Sequence, residues 1–169
     1  SVIIKMGSLH GVAQVTDKVE IAVAFMVKTS EFFIPLGESL DFEAVRKGFE
    51  RVIRPRLSDA RFFWDQDNKS PLEDWLPQLD KIVFQKKLGT VRDKSRRIAT
   101  ISKNIAKVSG IDDAAASRAA ELCKCDLVSQ MVTEFPELQG IMGSHYAAKS
   151  GEPDTVARAI GEHYLPGYS

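Results

Sequence analysis

The chain has 169 residues, 44% of them apolar and 27% charged, with 23 basic residues set against 23 acidic ones. That composition belongs to a folded globular protein able to bury about two thirds of the surface its unfolded form exposes, and it excludes a disordered chain. The charge balance excludes whole-molecule attraction to nucleic acid or anionic lipid, so any polyanion contact must come from local clustering, and no run reaches the ~20 apolar residues of a membrane span.

Residues 1–40 read as a β-containing segment that ends a preceding domain. "VEIAVAFMV" (19–27) is rich in β-branched and aromatic residues, and "EFFIPLGES" (31–39) follows a Lys-Thr-Ser turn, a pattern that predicts a short hairpin. "MGSLHG" ahead of it has glycines but no following Lys-Ser or Lys-Thr, so it is a loop and not a phosphate cradle. The chain opens on Ser1 with no initiator methionine and no visible secretory signal, which fits a fragment or a processed chain.

From Asp41 the periodicity becomes helical, and residues 41–169 are expected to form one helical domain. Phe42, Val45, Phe49, Val52, Leu57, Ala60 and Phe63 recur at three-and-four spacing, with Asp41 as N-cap and a kink or break expected near Arg54 because of Pro55. "SPLED" (70–74) predicts a capping box between Ser70 and Glu73, opening a short helix that Pro77 ends. "KIVFQKKLG" is open between strand and helix. "TVRDKSRRIATISKNIAKVSG" predicts a helix capped by Thr90, ended by Gly110, and buried along Val91, Ile98, Ile101, Ile105 and Val108.

A further helix is expected over 112–133, another over 137–149 after Pro136, and a last one that starts at Pro153 and ends at "HYLP". The fold class is therefore mainly α, preceded by a small β element. Cys123 and Cys125, two apart on a helix, diverge by roughly 200° and cannot readily bridge or share a metal. Reduced cysteines without a disulfide framework fit a cytoplasmic setting.

Three chemistries are open to these residues. Lys86, Lys87, Arg92, Lys94, Arg96 and Arg97 fall within a dozen residues, dense enough to meet several phosphates, although a solvated helix face gives the same pattern. No aromatics are interleaved, so stacking on single strands is not expected. Metal chemistry would need Asp126, His145 and His163 to converge, with Glu134 and Glu162 near them in sequence, yet no spacing matches a known zinc arrangement. The cysteines lie in an apolar stretch where thiols are inert. In "EFPELQGIMGSHY" (134–146), read as one helix, Gly140, Gly143 and Ser144 present small side chains that let another helix approach, flanked by Leu138, Ile141, Met142 and His145.

Four stretches, "RVIRPRLSDARFFWDQD", "PLEDWLPQLDKIVFQKKLGTVRDKSRRI", "CDLVSQMVTEFPELQGIMGSHYA" and "GEPDTVARAIGEHYLP", resemble in order and spacing the beta subunit of the bacterial-type glycyl-tRNA synthetase. The resemblance covers roughly residues 41–166. Within the first forty residues and just beyond, only "FFIPLGESLD" matches. It implies an internal piece of a longer subunit, including a helical region related to HD phosphohydrolases, hence an HD-like helical domain. It implies a two-alpha, two-beta ligase whose ATP- and magnesium-dependent aminoacylation site lies on the alpha subunit, with no cofactor in this piece. The implied partners are the alpha subunit, glycine tRNA and the rest of the beta subunit, with no membrane.

HD enzymes hold a divalent metal through an early helical His, a His-Asp pair and later residues. The alignment implied by the resemblance puts Lys94 at the early position and Cys125-Asp126 at the pair. An ammonium at Lys94 repels a cation, so the expectation is no metal, no catalytic residue and no phosphohydrolase activity. The leading expectation is a non-catalytic module supporting tRNA binding and assembly. The six basic residues are its candidate phosphate contacts on charge density alone, with little base selectivity. The alternatives are a metal-dependent HD-type phosphohydrolase using Asp126, His145 and His163, and a purely structural role.

Overall fold

The structure, a computed structural model, describes residues 4–5, 32–33 and 42–166, with residues 42–46, 48 and 49 described by backbone alone. The predicted 19–27 strand, the "MGSLHG" loop and the Asp41 cap lie outside these residues. Two compact units divide at Asp65 and Gln66, inside the last turn of a long helix.

The first unit holds β1 (Ile4–Lys5) antiparallel to β2 (Phe32–Phe33), with Ile4 opposite Phe33. The helix α1 (Phe42–Asp67) begins there. Contrary to the expected break, α1 runs through Pro55 without interruption. Proline removes a single backbone donor, and the rest of this 26-residue helix outweighs that loss. Val52 is exposed and not part of the buried stripe. Leu57, Ala60 and Trp64 are buried, and the same three-and-four spacing reaches Asp67, also buried.

The second unit is built of short helices. A 3-10 segment (Leu72–Lys81) carries Pro77 inside it and buries Leu72, Trp75 and Leu79. The expected capping box is absent, because Ser70 Oγ instead accepts from Trp75 Nε1 at 3.0 Å and Glu73 pairs with Arg118 at 2.7 Å. The ambiguous stretch is a hairpin, β3 (Val83–Gln85) with β4 (Gly89–Thr90), register-shifted between Val83 and Gln85.

Helix α2 (Val91–Ser109) keeps both predicted ends. Thr90 and Asp93 exchange a capping box, and Gly110 closes the helix in the left-handed region at φ 67°. Its buried face keeps the predicted Val91, and in part Ile98, which is half-buried, but not the rest of the predicted seam. Val91, Ser95, Ala99 and Ala106 are buried, whereas Ile101, Ile105 and Val108 are exposed. The reason is the neighbour: α2 packs on α3 (Asp113–Leu122), whose buried residues include Ala119 and Ala120, so small side chains on both helices let the backbones approach closely.

The predicted 112–133 helix is broken. After α3 come a 3-10 turn (Cys125–Val128) and α4 (Gln130–Glu134), so Cys123 and Cys125 do not share one continuous helix. Ser129 causes the second break, its Oγ accepting from Val132 N as N-cap and donating to Asp126 O. The 134–146 stretch is likewise two pieces, a 3-10 turn (Pro136–Leu138) and α5 (Ile141–Lys149), hinged at Gly140 with φ 81°. Pro153 stands just before α6 (Asp154–Glu162), one residue earlier than expected. Helices α3 and α5 both pack on α6. The protein is thus mainly α with small two-stranded sheets, and no described helix is long and apolar enough to cross a membrane.

Candidate functional site

The turn after α3 brings the chemistry-bearing side chains inward. Cys125 and Asp126 are both fully buried. Asp126 Oδ2 accepts from Gly140 N at 2.6 Å and Gly143 N at 3.1 Å. Its Oδ1 is enclosed, with no hydrogen-bond partner among the described residues. Burial raises the carboxyl to about 6, against the pull of the two glycine N–H groups and of the Lys124 charge.

Neither glycine position has room for a side chain. A Cβ at Gly143 would stand 3.0 Å from Asp126 Oδ2 and 3.0 Å from Ile160 Cγ2. At Gly140 the positive φ disfavours any side chain, and a Cβ would meet Tyr164 at 3.0 Å and His163 at 3.3 Å. Packing is also served, since Gly161 on α6 faces Ser144 on α5 closely enough for a Cβ to stand 3.2 Å from Ser144 Cβ. The stretch therefore combines close helix contact with a carboxylate cradle, of which the sequence pattern disclosed only the first.

Lys124, nearly buried, lies beside this cradle. His163 Nδ1 faces Ile160 O, which can only accept, so Nδ1 carries the proton and Nε2 offers its lone pair. Lys124 Nζ donates to that Nε2 at 2.7 Å and lies 3.7 Å from the centre of the Tyr164 ring. Burial, with the nearby Lys124 and Lys94 charges, holds His163 down at about 4. Burial also lowers Lys124, and the Lys94 charge lowers it further. The thiols are pushed up by burial, Cys123 to about 11 and Cys125 to about 12, so neither is a thiolate near neutrality.

Lys94 reaches the hairpin, its Nζ 4.1 Å from the centre of the Phe84 ring. Arg97 Nη1 donates to Leu88 O at 3.0 Å, and Arg96 pairs with Asp93 at 3.6 Å. Lys86, Lys87, Arg96 and Arg97 are exposed, while Arg92 and Lys94 are half-buried, with Arg92 Nη1 enclosed. The six basic residues thus occupy one hairpin and the first two turns of α2. His145 is half-buried and lowered by burial. Among the described residues, no three His, Cys, Asp or Glu side chains are placed to hold a metal ion.

One buried polar centre escaped sequence reasoning. Asp67 accepts from Gln130 N at 2.9 Å, Met131 N at 3.0 Å and Tyr146 OH at 2.8 Å, so it caps α4 and anchors α5. Burial and the Asp67 charge raise the Tyr146 hydroxyl well above its ordinary range. Its signal was present in the helical spacing, which runs from Leu57 through Ala60 and Trp64 to Asp67. An acid on an apolar stripe signals a buried acceptor.

The sequence profile described as "Glycyl-tRNA synthetase beta subunit" matches residues 23–169. The chain belongs to the glycyl-tRNA synthetase beta subunit family. It is 54% identical over 132 residues to the glycine–tRNA ligase beta subunit of Chromohalobacter salexigens, covering 78% of this chain and 19% of that one. It is 51% identical over 137 residues to that of Dichelobacter nodosus, covering 80% and 20%. With that of Marinobacter nauticus it shares 53% identity over 150 residues, covering 85% and 22%. The chain spans about a fifth of the length of these beta-subunit relatives.

Proposed function

We propose that this segment is a non-catalytic, HD-like module of a glycyl-tRNA synthetase beta subunit, which supports tRNA binding and assembly while the alpha subunit joins glycine to its tRNA. ATP and magnesium act at the alpha-subunit site, and the whole works in the cytoplasm.

The observation that carries the non-catalytic reading is that Lys124 already occupies the ring nitrogen of His163 beside Asp126, whose Oδ1 is left as its one unpaired oxygen among the described residues. One carboxylate oxygen is spent on Gly140 and Gly143 N–H groups. His163, which a metal would need as an electron-pair donor, already accepts from Lys124. The resemblance puts Lys94 at the position of a metal-holding imidazole, and the Lys124 charge acts directly on Asp126. A divalent ion requires deprotonated ligands with free lone pairs, so these residues do not fit one. The competing reading, a metal-dependent phosphohydrolase on Asp126, His145 and His163, meets that obstacle at His163, and the described residues place no three such side chains around one ion.

The tRNA part rests on family membership and on Lys86, Lys87, Arg96 and Arg97, which stand exposed on one hairpin and the adjoining helix end. Cations in such a cluster meet phosphates and position the nucleic acid without reading bases. Acylation rates of Lys86 and Lys87 in the intact two-subunit protein test this. Glycine tRNA is expected to slow both, and rates unchanged by saturating tRNA would rule out an interface there.

A further inference from the structure

Helix α2 turns its largest aliphatic side chains outward. Ile101, Ile105 and Val108 are 59%, 60% and 91% exposed. At about 100° per residue they span only about 60° of the helix circumference. Lys94 occupies the same sector two turns earlier, and Arg97 borders it one turn earlier. Their contacts with the Phe84 ring and the Leu88 carbonyl tie the hairpin to the head of that face. Phe84 and Leu88 are themselves exposed, as is Ile111 just past the helix.

The apolar ridge on α2 is Ile101, Ile105 and Val108, and Lys94 and Arg97 stand between it and the exposed Phe84 and Leu88 of the hairpin. Each of these side chains leaves apolar surface in water that burial would stabilise, and monomeric proteins rarely leave contiguous apolar surface of this kind uncovered. Within the ridge, no charged residue separates Ile101, Ile105 and Val108, so it offers nothing to a phosphate backbone. It suits a permanent protein contact, since those are the apolar ones.

We infer that this ridge is the seat of a further stretch of the same polypeptide in the full-length beta subunit, laid along α2 as an apolar helical stripe. The family assignment underlies this inference. The relatives run about four times the length of this chain, so most of a full-length subunit lies beyond these residues. The spacing of Ile101, Ile105 and Val108 forms the ridge that the groove of a second helix accepts.

The test uses the full-length beta subunit alone, without alpha subunit or tRNA. Ile105→Cys and Val108→Cys are labelled with a maleimide under native conditions and quantified by peptide mass spectrometry, with Lys103→Cys, exposed on another face of α2, as reference. Positions 105 and 108 are expected to react about 100-fold more slowly than 103 at every protein concentration. Equal rates overturn the inference. So does protection that rises with concentration, which means a second copy, or protection that appears only on adding alpha subunit. Hydroxyl-radical footprinting of the unmodified protein gives the same reading with no substitution, by whether Ile105 is oxidised like an exposed residue or spared like Leu122. Because no tRNA is present, a failure here leaves the proposed function standing, and the reverse holds too.

Discussion

Lys124 donates a hydrogen bond to the neutral ring of His163 at 2.7 Å, and that one contact removes both groups from metal chemistry. The amine is stabilised by a ring nitrogen and the Tyr164 face, and the imidazole has no lone pair to spare. Metal analysis of the purified protein after incubation with Mn, Fe or Zn and desalting is therefore expected to find far less than one ion per chain. His163→Ala is expected to leave that result unchanged. A stoichiometric ion that disappears on Asp126→Ala would refute it.

Asp126 and His163 oppose each other in acid. His163 is depressed to about 4 from an ordinary 6.5, so its contribution to stability is present above 6.5 and lost as the pH falls through 4. Asp126 is raised to about 6 from 3.8, so its contribution is full below 3.8 and lost as the pH rises through 6. Between pH 4 and 6 the two slopes partly cancel. Urea unfolding of Asp126→Asn is expected to gain stability with rising pH across that window relative to the parent. His163→Gln is expected to lose it, each slope reaching at most about 1.4 kcal/mol per pH unit.

The glycines of the cradle differ from a merely helix-ending one. Gly143→Ala places a methyl 3.0 Å from Asp126 Oδ2 and Ile160 Cγ2, and overpacking of this kind costs about 1–3 kcal/mol. Gly140→Ala adds backbone strain at φ 81° to a similar clash. Gly110→Ala meets nothing within 4 Å and carries only the left-handed penalty at φ 67°, about 1–2 kcal/mol. Thermal unfolding is expected to rank the losses as Gly140 largest and Gly110 smallest.

How much of this was legible follows from which signals are local. Thr90 and Gly110 were readable because a cap depends on residues three apart and a left-handed end on one. The family was readable from four motifs in register. Most of the buried face of α2 was not, because hydrophobicity ranks Ile101 and Ile105 above Ser95 and Ala99, whereas the close approach of α3 selects for size. Nor was the Lys124–His163 pair, whose members are 39 residues apart and meet only once α6 has folded back. Ser129 and Gly140 start new helices where periodicity alone continues the old one, each through a hydrogen bond or a φ angle that no hydrophobic pattern encodes.

Tyr146→Phe tests the buried acceptor at Asp67, while also removing the hydroxyl's interaction with Ser129. The hydroxyl bond at 2.8 Å is removed while the backbone donors of Gln130 and Met131 remain. A loss of about 1.5–3 kcal/mol, as for hydrogen bonds to a charged group, is expected from urea midpoints with an unchanged m-value. A loss below about half a kilocalorie would place the anchor of α5 in its apolar packing, such as the edge-on approach of Trp75 to the Tyr146 ring.

The proposed role stands or falls with the salt dependence of glycine tRNA binding to the intact two-subunit enzyme carrying Lys86→Glu, Lys87→Glu and Arg96→Glu together. The slope of log affinity against log salt should shrink by about 0.9 for each phosphate that is no longer neutralised, roughly two to three in all. Glycyl-adenylate formation, which needs no tRNA, should keep its rate. Unchanged affinity and an unchanged slope would contradict a role for this cluster in holding tRNA.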